Sequence, residues 1–211
     1  MPRPKPRRLK WILLAVLLIL GGIGFRFVFA HPGFNPDKVA HAETEMWRGY
    51  YAGKKNKVAI ELVLLLRRQH GLSLPDATRI GNLYAQAAMK FAGAQGDYNS
   101  LVLPDLVQAY TLLKETSKAA YDVDAVAKAE LAWWVARRTP GQDSAEQVGQ
   151  KITRLYVLLY GRNDPSLQSS GLLRAQAAAL RDAGGRNPDW AQVEALLQQS
   201  YRALGEGALK R

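Results

Sequence analysis

The 211-residue sequence has no cysteine and only three histidines. Disulfides, thiolate metal sites and cysteine nucleophiles are therefore excluded in any compartment. A glycine-rich phosphate loop, a serine nucleophile elbow and a His-Glu-x-x-His helix are also missing, and with them the commonest signatures of nucleotide binding, acyl transfer and zinc hydrolysis. No period-two run lies between turn signals at hairpin spacing, so sheet structure has no support. The sequence calls for no cofactor and no metal.

What is present begins with charge. The formal net charge is +11, which suggests a polyanion partner until its location is considered. Arg3, Lys5, Arg7, Arg8 and Lys10 fall in the first ten positions, and Arg26 follows in an apolar stretch. The rest of the chain keeps 23 basic against 18 acidic residues, a net of +5. That is a mildly basic domain rather than a nucleic-acid binder. Its densest basic cluster, Gly53-Lys54-Lys55-Asn56-Lys57, reads as a solvated helix face.

Residues 11 to 30, WILLAVLLILGGIGFRFVFA, form the one long apolar segment. About 20 such residues span a bilayer as a helix, and an arginine near one end can extend to the interface. The basic tail 1–10 then faces the cytoplasm by charge asymmetry. The expectation is a single-pass inner-membrane anchor at 11–30 in contact with the bilayer, a proline-stiffened linker at 31–36 and an exported domain at 37–211. In an Ala-, Arg- and Leu-rich bacterial chain, "exported" means periplasmic. Val28-Phe29-Ala30 also allows cleavage before His31, as in a signal peptide. Cleavage would offer His31 as a copper-chelating N-terminus, but only His41 and His70 exist as further imidazoles, a thin ligand set.

The exported part reads as all-α, about seven helices arranged as stacked hairpins, because the connections are short. Asn35-Pro36-Asp37 starts the first, which runs to His70 with a bend or break expected at 52–57. Pro75, Pro104, Asp164-Pro165 and Asn187-Pro188-Asp189 open others, and Ser144-Ala-Glu-Gln147 is a capping box. The helix between holds Glu130-Leu-Ala-Trp-Trp-Val-Ala-Arg-Arg138 and ends near Pro140. Helix pairs recur loosely, but the Trp, Gly, Tyr and Pro pattern of a tetratricopeptide unit is absent. A compact bundle or an irregular solenoid is expected.

The segment from 130 to 138 is the densest chemistry in the chain. At 100° per residue, Ala125, Ala129, Ala132 and Ala136 make one narrow face suited to a close helix neighbour, while Trp133 and Trp134 flank Glu130. Apolar residues reach nearly all round, as in a central helix. A glutamate buried there needs a cationic or hydrogen-bonding partner, or a proton. Arg137 lies two turns on, too far for ideal pairing, so an arginine from another helix is an alternative. Glu43, with Trp47 and Tyr50 after it, repeats the spacing; if the helices pack together, Glu43 or Glu45 converges with Glu130. Paired carboxylates can serve as acid and base or hold a metal. Helical di-iron sites, however, use Glu-x-x-His, and positions 46 and 133 are Met and Trp. A buried polar network that fixes helix register is the favoured reading. Tyr156 and Tyr160 belong to an amphipathic core run that can reach a surface.

Two functional classes remain. One is an anchored interaction, assembly or accessory subunit without catalysis, whose partners are other envelope proteins and whose surface carries an exposed apolar or aromatic patch. The other is a lipid- or small-molecule-binding bundle, or a hydrolase using Glu130, with a cavity lined by Trp47, Tyr50, Trp133 and Trp134.

Overall fold

The computed structural model describes residues 28 and 30–209, which form nine α-helices and no strand. These are α1 (Pro36–Tyr51), α2 (Lys55–His70), α3 (Leu74–Gly93), α4 (Tyr98–Leu101), α5 (Leu103–Ser117), α6 (Val123–Ala136), α7 (Ala145–Tyr160), α8 (Pro165–Ala183) and α9 (Trp190–Leu209). The chain is all-α over these residues. Most of the expected anchor lies outside them. Among the described residues, no helix is long and apolar enough to cross a membrane.

Caps place the helix starts. Asn35, Ser73, Asp122, Ser144 and Asp164 each accept a hydrogen bond from a first-turn amide, those of Lys38, Asp76, Ala125, Gln147 and Ser166. Each such bond satisfies an otherwise orphaned N–H. The span expected as one helix from 36 to 70 is two, with Gly53 between them at φ 67°, a left-handed conformation that glycine adopts at little cost. The one-turn α4 was not anticipated; it precedes Pro104 in the α3–α5 connection.

Each long helix packs on its chain neighbours, and α9 returns to pack on α1. Asp37 pairs with Arg202 at 2.9 Å and His41 with Glu194 at 2.9 Å. Position thus rises along α1 as it falls along α9, and the two helices are antiparallel. The hairpins close into a cycle rather than continuing as an open solenoid. Its interior is filled by Val39, Ile80, Leu106, Val126, Ile152 and Leu197, all at most 1% exposed. Burying each side chain contributes about 1.5–3 kcal/mol.

Segment 31–36 is docked rather than a free spacer. His31 Nδ1 lies 2.7 Å from the Gly71 carbonyl oxygen, and Phe34 packs against the core beside Gly205. The alanine face of α6 is also corrected. Ala129 and Ala136 are buried, but Ala132 is exposed, because α6 packs between α5 and α7 and leaves its outer edge in water. A close helix approach occurs instead between α7 and α8. A Cβ on Gly171 would stand 2.7 Å from the Gly149 carbonyl oxygen and 2.9 Å from the Thr153 nitrogen.

Urea denaturation tests this packing. Gly171→Ala should destabilise by ~1–3 kcal/mol, since backbone rather than a flexible side chain must move. Ala132→Leu, on the exposed edge of α6, should stay within about 0.5 kcal/mol of wild type.

Candidate functional site

Alternating helix directions bring α1, α6 and α8 parallel to one another, and these three carry most of the interior chemistry. Glu43 on α1 is 0% exposed. Arg174 on α8 donates to its Oε1 through Nε at 3.0 Å and Nη2 at 2.6 Å, and the Tyr201 hydroxyl of α9 donates to Oε2 at 2.6 Å. Arg174 Nη1 also reaches the Tyr156 hydroxyl of α7 at 3.4 Å, and the guanidinium lies 5.1 Å from the Trp133 ring centroid. Burial acts to lower the Arg174 pKa, but the Glu43 carboxylate outweighs it and holds it well above the usual arginine value. Desolvating both ions is costly, and only this geometry offsets it.

Glu130 on α6 is 7% exposed. The Tyr110 hydroxyl of α5 donates to Oε2 at 2.9 Å, and Trp134 Nε1 donates to Oε1 at 2.9 Å. Tyr121 donates in turn to the Tyr110 carbonyl at 2.9 Å, and Tyr84 of α3 meets the Tyr110 ring edge-to-face at 5.7 Å. Burial raises the Glu130 pKa above its ordinary value. The Arg174 charge and the Tyr110 and indole N–H groups oppose this without cancelling it. The Tyr110 and Tyr201 hydroxyls are pushed well up, first by burial and then by Glu130 and Glu43 respectively, so both stay protonated and act as donors. The Trp133 Nε1 is buried and also turned toward Glu130, outside good hydrogen-bond geometry.

The candidate residues therefore divide. Glu43 and Glu130 face the same interior with Arg174 between them, and Trp133 and Trp134 join them there. Trp47 is half-buried against the core. Arg137 does not serve Glu130; it pairs with Asp182 of α8 at 2.6 Å. Tyr50 is 51% exposed at the end of α1, stacked edge-to-face on Tyr51, whose hydroxyl donates to Asp182 at 3.3 Å. Burial works against the Asp182 charge, yet Arg137 and Arg181 hold its pKa below the ordinary value. Tyr51, Asp182 and Arg137 form a second polar level about two turns above the first, near the bundle end. Glu45 is largely covered but bonds to Arg48 and Lys57 rather than joining Glu130.

The residue that sequence reasoning missed is Arg174, the keystone of the interior. Its one signal was position, a lone cation within Gly171-Leu-Leu-Arg-Ala-Gln-Ala-Ala-Ala179. Tyr156 does not reach a surface; it is 1% exposed. Nor do Trp47, Tyr50, Trp133 and Trp134 line either of two cavities found among the described residues. One, about 420 Å³, lies between α7 and α8 against Gly149, Thr153 and Leu172. The other lies at the bundle end near Phe34. No group of three or more His, Asp or Glu side chains able to hold a metal occurs among the described residues. What the arrangement achieves chemically is to occupy both carboxylates with donors from the chain itself. No family model, curated protein or solved structure matches the chain.

Two measurements follow. Arg174→Met leaves Glu43 unpaired and should cost ~3–5 kcal/mol, and Glu43→Gln with Arg174→Met should recover much of that in a double-mutant cycle. Because the Glu130 pKa is raised in the folded state, its stabilising contribution is full below the unfolded value and is lost as pH rises through the folded one. In urea melts from pH 4 upward, the stability of Glu130→Gln relative to wild type should therefore rise with pH. A flat difference would contradict the burial-driven shift.

Proposed function

We propose that the chain is a membrane-anchored helical protein of a bacterial envelope, held by residues 11–30, with its helical domain on the periplasmic side. It acts there as an interaction, assembly or accessory subunit with no catalytic activity of its own. The observation that carries this reading is the internal satisfaction of Glu43 and Glu130, whose four carboxylate oxygens all accept bonds from this chain. A general acid or nucleophile needs an oxygen that substrate can reach.

Topology supports the same reading. The described chain enters beside α2's C-terminal end, where Arg67 donates to the Ala30 carbonyl at 3.2 Å. Tyr50, Tyr51, Met89 and Leu101, four of the five large exposed apolar side chains among the described residues, lie at the opposite end, in the last turns of α1 and α3 and in α4. An anchor at one end leaves these groups pointing away from the bilayer, toward an envelope partner. Exposed aromatic and methionine side chains are enriched in interface cores.

The test is gentle extraction of tagged full-length protein from native membranes, with quantitative mass spectrometry of what is retained. A stoichiometric partner should be lost on Tyr50→Ser with Met89→Ser while the melting temperature holds. Glu130→Gln should move the melting temperature more than partner retention. A lone protein carrying a small molecule, or function lost in Glu130→Gln at unchanged stability, would make the glutamate a working site instead.

A further inference from the structure

The second cavity stands apart from both the carboxylate network and the exposed aromatic end. Its volume is about 310 Å³, and it is lined by Phe34, Gln69, His70, Gly71, Leu113, Ser117, Ala119, Tyr121, Leu159 and Tyr160. It lies where α2, α5 and α7 all finish, beside the point at which the described chain enters. This volume is at the lower edge of the range for small-molecule pockets.

Its polar groups are mostly committed. The Tyr121 hydroxyl donates to the Tyr110 carbonyl, Ser117 Oγ donates to the Leu113 carbonyl at 2.6 Å, and the Gly71 carbonyl is bonded by His31. The Gln69 side chain serves the Tyr160 hydroxyl. His70 is the lining side chain left with a polar edge and no partner among the described residues. Rings from Phe34, Tyr121 and Tyr160 supply the flat apolar walls.

We propose that this cavity binds a small neutral molecule, largely apolar and planar, that carries one hydrogen-bonding oxygen directed at His70. Three features select that chemistry. No charged side chain lines the site, so an ion would be desolvated without compensation. Three helix C-termini converge there, and their partial negative charge disfavours an anion. Burial also pushes the His70 imidazole down to about 4, so the site disfavours positive charge on the one ionisable ring it contains near neutral pH. A neutral imidazole both donates and accepts one hydrogen bond, which matches a phenol or an aromatic alcohol. This inference stands independently of the interaction reading, because it uses none of the residues at the far end.

The probe is 2-naphthol, with naphthalene and 2-naphthoate as apolar and anionic controls, added to the full-length protein in detergent micelles. The readout is the ring signals of the three histidines by NMR. Saturable shifts are expected at His70, with His41, which is bonded to Glu194 on the outer surface, unmoved. His70→Phe should weaken naphthol about tenfold, the worth of one hydrogen bond, and leave naphthalene unchanged. Ala119→Phe, which fills the cavity from the loop, should abolish binding by both at unchanged helical content. No saturable shift with naphthol, tighter binding of the naphthoate, or full affinity in His70→Phe would each overturn the proposal.

Discussion

The ion pair between Glu43 and Arg174 is the constraint on which the closed cycle depends. A fully buried carboxylate is stable only where donors converge on it, and its donors come from α8 and α9. Helix α1 is thereby fixed to the end of the chain it most needs to meet. Hydrophobic contact would hold α1 against α9 in several registers; a buried charge with directional partners selects one. Arg174 suits this role because two of its N–H groups converge on one carboxylate oxygen while its planar face still lies toward Trp133.

The three parallel helices repeat that logic at two heights. Glu43, Glu130 and Arg174 form the lower level, and Tyr51, Arg137 and Asp182 the upper. The lower level is shielded and adds tyrosine and indole donors to the Arg174 guanidinium. The upper is half-exposed and uses arginine, where a surface ion pair contributes little. A polar interior whose carboxylate oxygens all have donors rigidifies a fold and disfavours alternative packings. It gives Glu130 a structural reason to be present without requiring a reaction.

Much of the fold was legible because helix starts are written in local chemistry. Ser144 with Gln147, Asp164 with Pro165 and Asn35 with Pro36 each mark a boundary within the span of one turn. The site was legible only in part. Glu130 and its tryptophans are adjacent in sequence, so one helical wheel brings them together, and the matching spacing after Glu43 hinted at the second carboxylate. Closure of α9 on α1 was not readable, because a contact across the full length of the chain leaves no local trace. Arg174 was hidden for the same reason: an arginine among alanines looks like any solvent-facing cation until the partner's position is known. The misplaced alanine face is the converse case. Four alanines in register fit both a tight helix crossing and an exposed edge, and only the neighbours decide between them.

Native-state hydrogen exchange on the full-length protein tests the central claim most directly. If the buried pair locks the cycle, amides in the middle of α1, α8 and α9 should exchange only through the same global opening as those of α5 and α6, with one common free energy and one denaturant dependence. If α1 instead opens locally, well below the global free energy while the remaining helices stay protected, then the ion pair does not close the fold and the polar interior needs another explanation.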